Sequence, residues 1–271
     1  MKKAIAVFVL IFSFLLFGCT QKIVKPTPTP VLDNILQKGE LVLGTAGTMP
    51  PLNMTTKDGE VIGFEVDLAK MMADAMGVKL RIETMEFSKL LQTLESGEVD
   101  MVMSGMTITP KRNLKVAFVG PYYVSGKAFL TKIETIAKAK EATEVNSLNT
   151  RLTALKGSTS QYFVESVLPK AQFIPARDYD EAVDLVLKGK VHAMVADYPI
   201  CVVSLFRHPN QGLLSVFTPL TYEPIGIAMP SYDPHLVNWA DNFLFMLEET
   251  GELDELTARW FEDASWLEQL P

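Results

Sequence analysis

Three short stretches carry the polar residues best suited to hold a charged small molecule: residues 104–112 (SGMTITPKR), residues 157–160 (GSTS) and residues 196–199 (ADYP). In the first, Thr109 suits an N-cap and Pro110 a first helical position, which puts Arg112 in the opening turn of a helix. The helix dipole opposes a cation there, so its presence asks for another reason. A guanidinium facing a cleft can take a carboxylate through two parallel hydrogen bonds. At about 1.5–3 kcal/mol for each bond to a charged group, the pair would supply much of the roughly 8 kcal/mol behind micromolar binding. A solvated surface arginine is the competing reading. In the second stretch, a strand-to-helix loop offers free N–H groups and hydroxyls to an anion, although plain helix capping accounts for the same residues more simply. In the third, Asp197 ends a strand before Pro199, which is expected to force the chain out of regular structure. Its carboxylate either receives an ammonium group or caps the next turn.

The elements that position these residues follow from hydrophobic spacing. Residues 40–45 read as a short apolar strand, residues 57–60 as a hairpin turn, and residues 64–76 as a helix stopped by Gly77. A strand at 79–84, a helix at 88–96 and a strand at 99–103 complete one strand–helix alternation, the pattern of a parallel sheet with covering helices. Residues 151–155, 161–167, 172–175, 179–188 and 193–196 repeat it. Two such units imply two α/β lobes, joined by β-forming segments at 121–130 and 222–229. A return crossing makes the first lobe discontinuous, with residues 33–124 and 223–271 in one lobe and 125–222 in the other. Leu236, Trp239, Phe243, Leu247, Leu253, Leu256 and Trp260 are expected to dock a helical tail on the first lobe. Ligands of open α/β sheets sit beyond the carboxyl ends of the strands, which is where all three polar stretches fall.

The chain ends add an address. Lys2 and Lys3 precede an apolar or small-residue run from 4 to 17, then Gly18 and Cys19, which reads as a secretion signal over residues 1–18. The run is too short for a permanent membrane span. Residues 16–19 (LFGC) resemble a bacterial lipoprotein cleavage box, with Cys19 as the lipidated residue and an ordinary export signal as the alternative. Several acyl chains would anchor the protein firmly, so its membrane contact is through lipid alone. Residues 19–32, with Pro26, Pro28 and Pro30 alternating with threonine, read as an extended tether. Removing 18 of the 271 residues leaves 253, enough for two domains with real cores. Taking Lys2 and Lys3 from the 25 basic residues, against 32 acidic ones, leaves a charge of −9, which argues against a nucleic-acid partner. His192, His208 and His235 show no ligand spacing, so neither a metal nor a cofactor is expected. Cys201 has no disulfide partner and reads as a small buried apolar residue.

The order of TAGTMPPLN (45–53), GFEVDLAK (63–70), SGEVDMVMSGMTITPKR (96–112), GPYYVSG (120–126), KGSTS (156–160), GKVHAMVADYP (189–199) and TGELDELTARWFED (250–263) resembles the polar amino-acid family of bacterial extracellular solute-binding proteins. The resemblance covers nearly the whole mature chain. It implies the two-lobe periplasmic-binding-protein fold of type II, with two crossing hinge segments, and a monomeric, non-enzymatic receptor that delivers an amino acid to an ABC permease. It further implies that Arg112 clamps the α-carboxylate with Thr107 and the Ser158–Thr159 turn, and that Asp197 takes the α-ammonium with Ser104 or the Gly105 carbonyl. Met49 and Phe87 would flank the ligand side chain. Three departures bear on this. Met49 stands where an aromatic is common, and Ala46 where relatives that take cationic side chains often carry an acid, which argues against lysine, arginine or ornithine. A common Phe-Ser-Asp-Pro-Tyr run appears here as residues 118–122 (FVGPY). Secreted cyclohexadienyl dehydratases resemble the same family, with a glutamate expected at the position of Asp197; an enzyme of that kind is the alternative function, and a sensor that presents its closed form to a membrane receptor is another.

Overall fold

The computed structural model describes residues 29–215 and 220–271; Cys19, the signal segment and most of the tether lie outside them. The first lobe runs through α1 (Pro30–Lys38), β1 (Glu40–Thr45), β2 (Thr48–Met49), β3 (Asn53–Thr55), β4 (Val61–Ile62), α2 (Phe64–Met76), β5 (Lys79–Thr84), α3 (Leu90–Glu95), β6 (Met101–Val102), α4 (Pro110–Asn113) and β7 (Ala117–Ser125). The second holds β8 (Lys127–Thr131), α5 (Glu134–Ala137), β9 (Arg151–Leu155), α6 (Thr159–Val167), β10 (Gln172–Ala176), α7 (Tyr179–Leu187), β11 (Ala193–Asp197), α8 (Tyr198–Arg207) and β12 (Leu214–Ser215). The chain then returns through β13 (Glu223–Met229) to α9 (Pro234–Thr250) and α10 (Glu252–Thr257) on the first lobe.

Each lobe is built on a five-stranded sheet, β5-β1-β6-β13-β7 in the first and β10-β9-β11-β8-β12 in the second, and β2, β3 and β4 of the first form a small three-stranded sheet of their own. β1 is parallel to β5 and β6, and β9 to β10 and β11, as the strand–helix alternation predicts. The two crossing strands, β7 and β13, pair antiparallel from Met229↔Ala117 to Glu223↔Ser125, so the hinge is a β-ladder. Gly120 on it has φ +113°, and a Cβ there would meet the Tyr122 nitrogen at 2.8 Å, so the glycine in FVGPY answers to backbone geometry.

Hydrophobic spacing places the cores. α2 buries Phe64, Leu68, Ala69 and Met72, and α9 buries Leu236, Ala240, Leu244 and Leu247 in the same first-lobe core. Trp239 and Phe243 are half-buried and stack on each other at 5.3 Å. No described helix is long and apolar enough to cross a membrane.

Three local expectations are corrected. The tether does not extend to Leu32: Pro30 opens α1, where its missing N–H costs nothing, and the Val31 and Leu32 N–H groups donate to buried Asp233 at 3.0 and 2.9 Å. Pro199 does not end regular structure either, because it lies in the first turn of α8, where proline is tolerated for the same reason. The helix expected at 88–96 divides into a 3₁₀ turn at Phe87–Lys89 and α3.

Candidate functional site

Arg112 sits where the capping signals put it. Thr109 caps α4 and its hydroxyl accepts from the Arg112 N–H at 3.2 Å. The guanidinium donates from Nη1 to the Thr107 carbonyl at 2.8 Å and from Nη2 to the Gly157 carbonyl of the second lobe at 3.3 Å. Its Cζ lies 5.7 Å from the centre of the Phe87 ring, a cation–π contact. Burial pulls its pKa down to about 10, while Glu223 and Asp197 act in the opposite direction, so it remains a cation at neutral pH. These contacts supply the compensation that a cation in a first helical turn requires.

Asp197 ends β11 and makes no side-chain cap to α8. It is the register partner of Lys127 across the antiparallel β11–β8 pair, which brings the two side chains together on one face. Lys127 Nζ donates to Asp197 Oδ1 at 2.8 Å and lies 3.2 Å from Glu223 Oε2. The three residues are 1 %, 3 % and 8 % exposed, so solvent screens the triad little. Burial by itself raises the Glu223 carboxyl, but Lys127 together with the Thr221 and Thr159 hydroxyls more than offsets it and holds the group below its ordinary value. Thr221 and Thr159 donate to Glu223 at 2.9 and 3.0 Å, and Thr159 meets the Thr107 hydroxyl at 3.2 Å. A polar chain therefore runs from Asp197 through Lys127, Glu223, Thr159 and Thr107 to Arg112, crossing from one lobe to the other. Beside Asp197, the half-buried Tyr123 stacks on Phe261 at 4.4 Å, and burial with Asp197 and Tyr198 pushes its phenol up to about 12.

A second network, buried in the first lobe, centres on Glu65. Glu65 Oε1 accepts from the Gly105 N–H at 2.7 Å and from the Tyr122 hydroxyl, and Oε2 accepts from Asn53 at 2.6 Å. Burial raises the Glu65 carboxyl, against the pull of these three donors. Asn53 in turn accepts from the Gly47 N–H at 2.7 Å, fixing the turn after β1. Ser104 accepts from the Ala46 N–H at 2.9 Å and reaches the Met49 sulfur at 3.4 Å. Met49 packs on Gly105, whose φ is +57°; a Cβ there would lie 2.7 Å from the Met49 methyl. A cavity of about 190 Å³ opens beside Phe87 between Ala46, Thr48, Thr84 and Glu86 of the first lobe and Arg177 and Asp178 of the second.

Of the residues singled out from sequence, the structure gathers Arg112, Thr107, Thr159 and Phe87 at the lobe junction, puts Asp197 at the far end of the polar chain, and sets Met49, Ser104 and Gly105 against one another beside Glu65. The Ser158 hydroxyl caps α6: it accepts from the Gln161 N–H at 3.2 Å and donates to the Leu155 carbonyl at 2.7 Å. Lys127, Thr221, Glu223 and Glu65 were not foreseen. Lys127 had one available signal, a lone charge opening the apolar run KAFL, where an ammonium needs a buried partner.

Two α/β lobes on a β-ladder hinge, with opposed charged groups meeting at their junction, define a hinged solute-binding protein. The chain belongs to the bacterial extracellular solute-binding proteins, family 3, whose pattern matches residues 41–263. A binding component of an ABC transporter from Wolinella succinogenes, solved with lysine, is 38% identical with a TM-score of 0.80, covering 85% of this chain and 99% of that one. An ancestral amino acid-binding protein described as a precursor of cyclohexadienyl dehydratase is 34% identical with a TM-score of 0.78, over 85% and 99% of the two chains. The cyclohexadienyl dehydratase of Pseudomonas aeruginosa is 25% identical over 231 residues, 85% of this chain and 86% of that enzyme.

Proposed function

We propose that this protein is a non-enzymatic, monomeric receptor that closes residues 33–124 with 223–271 against residues 125–222 around an α-amino acid and hands it to an ABC permease. Lipid on Cys19 would hold it at the outer face of a membrane. The observation that carries the reading is the placement of Arg112: a half-buried cation at the lobe junction, in hydrogen-bond reach of both lobes, is positioned for a carboxylate that only the closed form can surround. Asp197, with a carboxylate already facing an ammonium, is the matching acceptor for the ligand's amine. The binding functions named for the Wolinella and ancestral structures support an amino acid as the ligand class.

The test is calorimetric titration with the common amino acids after unfolding and refolding to strip carried-over ligand. R112A and D197A are each expected to abolish binding; normal binding by both removes the assigned site.

A dehydratase is the second reading, favoured by the Pseudomonas relative. A general acid has to donate a proton to a leaving hydroxyl, whereas Asp197 accepts from Lys127. Turnover of prephenate or arogenate, followed by ultraviolet absorbance of the product, separates the two.

A further inference from the structure

We propose that Lys127 sets the net charge of the ligand, restricting the cleft to amino acids with an uncharged side chain. The inference rests on the reading above, in which Arg112 takes the α-carboxylate and Asp197 the α-ammonium. Across the junction two cations, Arg112 and Lys127, balance two anions, Asp197 and Glu223. Lys127 cannot withdraw: its N–H donates to the Thr221 hydroxyl at 3.0 Å, its carbonyl accepts from Leu220 at 2.7 Å, and its side chain is 1 % exposed.

Its two carboxylate partners explain how a ligand amine fits. When the amine takes Asp197, Lys127 keeps Glu223, which is braced by Thr221 and Thr159 and stays where it is. A zwitterion then adds one positive and one negative group, each with a partner, and every charge remains paired. A further cation on the ligand side chain would enter a cleft that already holds two cations, where Ala46 offers no acid and the carboxylates beside Phe87 already have partners, Glu86 in Lys89 at 3.3 Å and Asp178 in Arg177 at 2.9 Å. Without Lys127 the same walls would carry one excess negative charge and would favour that cation.

Two matched pairs of amino acids probe this in the refolded mature chain: norleucine against lysine, and citrulline against arginine. Each pair differs by one side-chain charge at similar shape. The wild type is expected to bind the neutral member at least about tenfold more tightly, and K127M to move the ratio of dissociation constants at least about tenfold toward the cation. K127R retains the charge and should retain the wild-type preference. A wild type that binds lysine or arginine more tightly than the neutral partner overturns the inference, whether or not K127M folds. So does a ratio within about twofold of wild type in a folded K127M. Failure of the underlying reading has a different signature: no amino acid binds the wild type, or those that do bind are indifferent to R112A.

Discussion

Replacing Lys127 by methionine keeps the stem and removes the ammonium, leaving Asp197 and Glu223 as two buried carboxylates without their shared cation. At an effective dielectric near 20, a charge pair about 3 Å apart attracts by roughly 5–6 kcal/mol, and Lys127 makes two such contacts, at 2.8 and 3.2 Å. Desolvation of three ions offsets most of this in the intact triad. Removing one partner leaves that cost uncompensated, so K127M should lose about 3–5 kcal/mol of folding stability near neutral pH. The variant can recover by protonating a carboxylate, so the loss should shrink near pH 4. Urea denaturation of wild type and K127M at both pH values reads this directly. A loss below about 1 kcal/mol, or an equal loss at both pH values, would refute the idea that the ammonium holds the two carboxylates in the fold.

Further expectations follow from the same geometry. G105A should lose about 1–3 kcal/mol of stability by denaturation, because the added methyl meets Met49 at 2.7 Å on a backbone of φ +57°; an unchanged midpoint would show that Met49 can move freely. Glu223 has a folded carboxyl below its ordinary value of 4.5, so it contributes stability that is fully present above that value and lost as pH falls through the folded one. The difference in stability between wild type and E223Q should therefore vanish at acid pH. Cys201 is fully buried and burial pushes its thiol well up, so a thiol reagent should leave it unmodified in the native protein and modify it in urea. Modification of the native protein at the unfolded rate would contradict that burial.

The regular elements were legible because each is set by its own residues. Phe64–Met76 carries both the apolar spacing and the stop at Gly77, and its observed bounds agree with those signals. Thr109-Pro110 announced α4 and so located Arg112. α8 was hidden because a proline after a strand reads as a break unless the helix behind it is already known. α1 was obscured likewise, since the buried Asp233 that accepts from its first turn lies about 200 residues away. The site was half legible for the same reason. Arg112 and Asp197 stand at ends of elements, where local signals exist. Lys127 and Glu223 open β8 and β13 and Glu65 lies in the first turn of α2, but these three take their roles from strand register and from partners on other elements, which no local signal announces. Ser158 and Thr159 show the limit of loop chemistry: adjacent hydroxyls in one turn, of which one caps the helix and the other crosses to the opposite lobe.

The most direct measurement is a thermal-shift screen of the refolded mature chain against the common amino acids, with prephenate and arogenate included. A ligand at about 100 times its dissociation constant adds roughly 2.7 kcal/mol to the native state, a readily visible rise in the midpoint. The account predicts a rise with one or a few amino acids of uncharged side chain, abolished in R112A; no rise with any amino acid, or a rise confined to prephenate or arogenate, would contradict it.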